Sequence, residues 1–423
     1  MNSIIDQYES EVRGYCRSFH ATFDTAQGAW LTDVEGRHYL DFFAGAGALN
    51  YGHNHPALKE ALIEYIRRDG VTHSLDMYSA AKQEFLESFH DRILVPRELD
   101  YRVQFPGPTG TNAVEAALKL ARKVTGRTGV VFFTHAFHGM TVGSLAVTGN
   151  AGKRASAAQP LANATAMPYD GYLGEGVDTV DYLRRMIEDR ASGLDLPAAV
   201  ILESVQGEGG IHVASDEWLR KLAALCREHD ILLIVDDIQV GCGRTGEFFS
   251  FESAGIRPDI VTLSKSLSGY GLPLSVVLIR PELDIWAPGE HNGTFRGNNP
   301  AFVTAAAATA FWQHGAVTRE VERKGPTVRQ RFERIAAEQP ALRAAVRGRG
   351  FIWGLACGRP GAAEQIAREC YDRGLLIETA GVDDDVLKFL APLTIDAEDL
   401  AQGLDIIEES AAAVGRRAER EAA

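Results

Sequence analysis

The chain of 423 residues has no run of eighteen apolar residues, so no transmembrane helix is expected. Its opening stretch, MNSIIDQYESEVRGYC, has no basic segment leading into an apolar one, so no secretory leader is expected either. Cysteine is scarce and scattered: Cys16, Cys226, Cys242, Cys357 and Cys370 are odd in number and form no CxxC pair. That excludes a disulfide framework and a sequence-local zinc site, and fits reduced thiols in a cytoplasm. Basic residues are in the minority, 43 Lys and Arg against 57 Asp and Glu, for a net charge of −14. With no Lys/Arg run to compensate, nucleic-acid binding is disfavoured. The chain also lacks a GxxxxGK[ST] loop, an internal repeat and a low-complexity linker, and the glycine turn at 107–112 is not a GxGxxG turn. Nucleotide and dinucleotide readings lose their usual support.

What remains is an ordinary globular composition, 45% hydrophobic and 24% charged. The length exceeds what one core accommodates and implies a larger and a smaller domain. The sequence GAWLTDVEGRHYLDFFAG holds two short strands about a turn at Asp33, Val34, Glu35 and Gly36, and a helix follows over about 56–68. Beyond it, helical stretches alternate with short apolar β-branched runs: VVFFT at 130–134, AAVILES at 198–204, ILLIVDD at 231–237, DIVTLS at 259–264 and SVVLI at 275–279. Continuous apolar strands with helices between them predict a mostly parallel sheet covered on both faces, an α/β fold. After about residue 310 the texture changes to an amphipathic helix (RKGPTVRQRFERIAAE), glycine-bounded strands and a terminal helix, which reads as a smaller α+β domain. The final GRRAEREAA is expected to be a frayed, solvated helix end.

Ligands on parallel sheets sit at the carboxyl ends of the strands. Asp236 and Lys265 both fall at such ends. Lys265 is the single charge in VTLSKSLSGYGLP, 261–273. It is either a strand-end lysine reaching water or a desolvated amine with a lowered pKa. An acid closing a buried strand needs a partner. Asp236 could be a metal ligand, a capping group or the anchor of a protonated heterocycle, and no nearby His or Cys supplies a second metal ligand, so no metal is expected. In GPTGTNAVEAALKLARK, 107–123, a glycine turn opens an amphipathic helix. The backbone N–H groups of Gly110, Thr111 and Asn112 would be free there to hold a phosphate, or the helix is merely capped at the surface. FHGMTVG, 137–143, puts Phe137 and His138 just after a strand, where each alone reads as core or as a satisfied polar group. HNGTFRGNNP, 291–300, is a polar glycine-rich loop. A phosphate-binding helix end, an acid on a strand, an aromatic ring to stack and an isolated lysine are together what pyridoxal 5′-phosphate requires.

The ordered series GHNHP, GPTGTNAVEAALKLAR, FHGMTVG, QGEGG, DDIQVGCGRTG, TLSKSLSGYGLP and GTFRGN resembles the class III (ω-) aminotransferases over about residues 15–410. The resemblance implies PLP fold type I: a large domain on a mostly parallel seven-stranded sheet flanked by helices, residues 56–310, and a smaller α+β domain, 311–423, to which 1–55 contribute. It implies that Lys265 bonds the cofactor and moves the proton, that Asp236 holds the ring nitrogen protonated and that Gln239 meets the ring hydroxyl. Phe137 and Ile238 would cover the two ring faces, His138 would join the cofactor site, and Gly110 and Thr111 would bind phosphate. Thr294 would reach the phosphate of a neighbouring subunit, so a homodimer or higher homo-oligomer is implied. Glu208, in ESVQGEGG beside Glu203, would pair with a cation that can also bind a substrate carboxylate. Many family members have an arginine where VLKFLAPLTI has Lys388, and a lysine lacks the bidentate fork, so Arg296 is a second candidate. The stretches DFFAGAGALNYGHNHP, MPYDGYLG, SGLDLPAAVI and GEHNGTFRGNN are similar to one branch of that family. Its reaction takes an amino group from L-glutamate to L-aspartate 4-semialdehyde and yields 2-oxoglutarate and L-2,4-diaminobutyrate for ectoine synthesis. An ornithine or 4-aminobutyrate specificity is the alternative.

Overall fold

The structure, a computed structural model, describes residues 4–422. Its main sheet has seven strands in the order Arg102–Gln104, Val276–Ile279, Ile260–Leu263, Leu232–Asp236, Ala199–Leu202, Val130–Phe133 and Ala164–Met167. Neighbours run parallel except around Val276–Ile279, which is antiparallel to both of its partners. The five apolar runs read from the sequence all become strands buried along their length. The two strands that no apolar run announced, Arg102–Gln104 and Ala164–Met167, lie at the sheet's edges and are only partly buried. An edge strand covered on fewer sides needs less apolar surface, and so leaves a weaker pattern.

The helix Gly110–Thr125 packs its small apolar face, Ala113, Ala117, Leu118 and Ala121 among others, onto this sheet. A second, four-stranded antiparallel sheet has the order Ala344–Arg349, Ile352–Cys357, Val386–Phe389 and Glu378–Ala380. The helices Ala316–Glu338, Ala362–Asp372 and Ala397–Ala422 accompany it. Near the N-terminus, Phe23–Gln27, Trp30–Asp33 and His38–Asp41 form a meander. The predicted turn after Asp33 is there, and the Asp33 carboxylate accepts the N–H groups of Glu35 and Arg37. The strand His38–Asp41 then pairs in parallel with Leu375–Leu376, so the two ends of the chain share one sheet. The expected frayed end is instead helical through Ala422: Val414 and Ala418 are buried and Arg417 pairs with Glu369 at 2.9 Å. No helix among the described residues is long and apolar enough to cross a membrane.

Candidate active site

Asp236 ends its strand opposite Thr262 of the next, and Lys265 follows that next strand by two residues, so both side chains emerge at one edge of the sheet. They line a cavity of about 180 Å³. Gly110, Thr111, Phe137, His138, Ile238, Gln239 and Glu208 line it too, which brings together most of the residues singled out from the sequence.

Lys265 has a left-handed backbone, φ 48°, a conformation that costs a non-glycine residue roughly 1–3 kcal/mol and is found where the surroundings impose it. Its ammonium donates to the Ala46 carbonyl at 2.8 Å. Burial, aided by the Lys388 charge, pulls the Lys265 pKa below its ordinary value against the carboxylates of Glu208, Glu378 and Asp236. A lowered pKa raises the fraction of free, nucleophilic amine at neutral pH. Of the two sequence readings of this lysine, the half-buried side chain with its lowered pKa favours the desolvated amine.

Asp236 is buried and fully engaged with the protein. One oxygen lies 2.6 Å from His138 Nδ1; the other accepts the Ile238 N–H at 3.2 Å and the Thr262 hydroxyl at 3.1 Å. His138 is therefore joined to the site through Asp236, a role that its position after a strand did not reveal. Burial, then the Asp236 charge, pushes the neighbouring Glu203 carboxyl well above its usual range, although Glu203 accepts the Phe137 N–H at 2.9 Å.

The helix end at Gly110 differs in one respect from expectation. The Asn112 N–H bonds the Thr109 carbonyl at 3.0 Å, and the Asn112 side chain accepts from Thr109, so two N–H groups remain open instead of three. Those of Gly110 and Thr111 have no protein partner among the described residues. A Cβ at Gly110 would come within 2.9 Å of Ile238, so the close approach of this turn to Ile238 requires glycine.

Gln239 donates to the Ala46 carbonyl at 3.1 Å and to Glu208 at 2.9 Å, while its buried Oε1 has no partner. Behind Glu208 lies Lys388, with no exposed side-chain surface, 2.7 Å from Glu208 and 2.9 Å from Glu378. Burial opposes the charge on Lys388, but the two carboxylates outweigh it and hold the ammonium above its ordinary pKa. Glu208 is correspondingly held well below the usual carboxylate range, its burial outweighed by Lys388 and Lys265.

Besides Lys388, which lies behind Glu208, the sequence-named Thr294 and Arg296 are not in the cavity. Thr294 is exposed on its loop. Arg296 lines a separate pocket of about 250 Å³ with Lys82, Gln104 and Trp286, and donates to the Asn292 carbonyl at 3.1 Å. Its guanidinium packs beside Gly107, where an added Cβ would come within 2.9 Å of it. Two contributors escaped the sequence reading altogether. The Ala46 carbonyl lies within four successive residues of positive φ, Ala44, Gly45, Ala46 and Gly47, for which the repeated small residues of AGAG were the only signal. Glu378 had none beyond being an acid in an apolar strand.

The donor set suits a planar phosphorylated aldehyde with a ring nitrogen: open N–H groups at a helix end, a carboxylate, an unpaired amide oxygen, apolar groups for two ring faces and a desolvated amine. The sequence profile of the aminotransferase class-III family matches residues 14–410. A Nocardia farcinica protein named diaminobutyrate–2-oxoglutarate transaminase is 59% identical over 406 residues, covering 96% of this chain and 93% of that one. A Streptomyces anulatus protein of the same name is 60% identical over 403 residues, covering 95% and 96%. Among solved structures, an ornithine aminotransferase of Toxoplasma gondii superposes with a TM-score of 0.86 at 26% identity, covering 98% of this chain and 94% of that one. Matched over residues 14–410, with the reactive groups gathered at the carboxyl ends of the sheet strands, the chain belongs to the class III aminotransferases.

Proposed function

We propose that this aminotransferase carries pyridoxal 5′-phosphate and acts as a diaminobutyrate–2-oxoglutarate transaminase. It takes the amino group of L-glutamate to the terminal carbon of L-aspartate 4-semialdehyde and forms 2-oxoglutarate and L-2,4-diaminobutyrate, reversibly. The names of its relatives support the substrates. The geometric observation that carries the reading is the buried Glu208–Lys388 pair at the wall of the Lys265 cavity.

When bound, the cofactor supplies an electron sink that stabilises negative charge on the substrate carbon. Lys265 would hold the cofactor through its aldehyde, with loss of water, and its amine, once free, would carry the proton at the substrate carbon. Asp236, oriented by His138 and Thr262, keeps the ring nitrogen protonated through its negative charge. Gln239 Oε1 would accept from the ring hydroxyl, Phe137 and Ile238 would cover the ring faces, and the N–H groups of Gly110 and Thr111 would hold the phosphate. One pocket must take both glutamate, whose α-carboxylate adjoins the reacting amine, and diaminobutyrate, which reacts at its far end. With Glu208 on Lys388 the wall is neutralised and accepts the far-end amine; with Glu208 turned aside, Lys388 binds the α-carboxylate.

Thr294, exposed within one chain, fits a contact with a second subunit. Exposed Leu75, Met77, Tyr78 and Phe295 offer apolar surface for a homodimer. The chain divides on this reading into a large domain, 56–310, and a small one of 311–423 with 1–55, supported by the pairing of His38–Asp41 with Leu375–Leu376. Five free cysteines fit a cytoplasmic place at the first dedicated step of ectoine synthesis. A panel of amine donors and acceptors with chromatographic identification of products tests the assignment. Diaminobutyrate formed from glutamate and aspartate 4-semialdehyde is expected; preference for ornithine or 4-aminobutyrate would refute it.

A further inference from the structure

Lys388 holds two carboxylates, and the fold supports them differently. Glu378 stands directly opposite Lys388 across the antiparallel pair Glu378–Ala380 and Val386–Phe389, so backbone register keeps the two side chains together. Glu208 comes from the glycine-flanked turn between Val205–Gln206 and His212–Val213, with Gly207, Gly209 and Gly210 beside it. Depth separates them as well. Glu208 lines the Lys265 cavity, whereas Lys388 and Glu378 do not. A carboxylate entering the cavity meets Glu208 first and reaches Lys388 only when Glu208 turns away. A buried ammonium stripped of its partner is strongly disfavoured, so that motion needs a second counter-ion in place.

We propose that Glu378 is a positioning residue, the standing counter-ion of Lys388, which keeps the ammonium charged and in place while Glu208 leaves it. Lys388 then exchanges one carboxylate for another, the α-carboxylate of glutamate or 2-oxoglutarate, and is never left bare. This role for Glu378 rests on the two-substrate reading above. The groups that face Glu378 are Lys388, Glu208, Lys265 and Tyr15. Burial pushes the Glu378 carboxyl up to about 7, the Glu208 charge adding to it and the Lys388 and Lys265 charges opposing it. When Glu208 departs, one repelling charge goes with it, and Glu378 ionises more fully at the moment it becomes the sole partner.

The test is Glu378→Gln in the cofactor-loaded enzyme, with single-turnover rates measured separately for L-glutamate and L-2,4-diaminobutyrate. The amide keeps the size but loses the charge. The glutamate reaction is expected to slow by about tenfold or more, because Glu208 must now leave an otherwise unpaired cation. The diaminobutyrate reaction, in which Glu208 stays on Lys388, should change by less than about twofold. Glu378→Asp, which keeps the charge, should recover part of the glutamate rate. Equal losses on both substrates, or none, overturn the proposal. A second measurement is independent of turnover: melting midpoints of the holoenzyme with Glu208→Gln, Glu378→Gln and both. Each single variant leaves Lys388 one carboxylate and the double leaves none, so the double should fall further than the two single shifts combined. Additive shifts overturn the counter-ion whatever the substrates are. An enzyme that turns over neither amine refutes the reading of the substrates, and a non-additive melting shift would then retain Glu378 as counter-ion alone.

Discussion

Replacing Lys388 by alanine perturbs stability and specificity in ways that can be separated. The substitution removes the cation between the carboxylates of Glu208 and Glu378, 2.7 and 2.9 Å from its nitrogen, at a site with no exposed lysine surface. Taking one member from a buried ionic cluster costs about 3–5 kcal/mol when the remaining charges stay ionised. They can escape part of that cost by protonating. Glu378 already titrates at about 7 with Lys388 present, and removing the cation that lowers both carboxyls raises them further. In Lys388→Ala, a carboxyl whose folded pKa exceeds its unfolded value of about 4.3 contributes stability that is complete below that value and is lost as pH rises through the folded one. The variant's melting deficit against the parent is therefore expected to grow from pH 5 towards pH 8. Function should divide by substrate. Losing a charge-assisted hydrogen bond to the α-carboxylate costs about 1.5–3 kcal/mol, roughly ten- to a hundredfold in the affinity for glutamate and 2-oxoglutarate. Diaminobutyrate, which meets the paired state of the wall, should lose less. Stopped-flow titration with each amine donor, beside melting curves at the two pH values, measures both. Equal losses for the two donors would show that Lys388 is no carboxylate switch and would shift attention to Arg296. A deficit that shrinks as pH rises would refute the electrostatics.

Purified protein should be yellow, and borohydride reduction followed by peptide mapping should place the fixed cofactor on Lys265; Lys265→Ala should abolish turnover while retaining some non-covalent cofactor, and normal transamination by it would end the assignment. Asp236→Asn should cost at least about a hundredfold in rate with little change in melting, because the amide oxygen can still accept from Ile238 and Thr262 while the charge is gone; unfolding, or full activity, would make Asp236 structural. Arg244→Met should lower the melting midpoint without altering the ratio of the two half-reaction rates. Arg244 is buried, its pKa pulled down to about 9 by that burial, and it donates to Asn50, Phe351 and Ala391; each acceptor left bare costs about 1–3 kcal/mol. An unchanged midpoint would refute that role.

Legibility followed the range of the interactions. Lys265, Asp236 and the helix opening at Gly110 could be picked out because each is marked by its immediate neighbours: an apolar strand that ends, one charge among small residues, a glycine turn before an amphipathic helix. The central strands were equally plain, since burial on both faces demands unbroken apolar runs, while the edge strands Arg102–Gln104 and Ala164–Met167 carry no such demand.

The sequence by itself thus determined the elements, the sheet edge at which ligands sit and the chemistry gathered there. Tertiary structure alone decided which groups answer one another across long separations. His138 reaches Asp236 across the end of Ala199–Leu202, the strand that lies between the two that carry them. The Ala46 carbonyl meets Lys265 and Gln239 from a run of four residues of positive φ. Glu378 opposes Lys388 because of the register of a strand pair, and a shift of one residue would send its side chain to the other face. Register and close packing are properties of the assembled sheets, and no local stretch of this chain encodes them on its own.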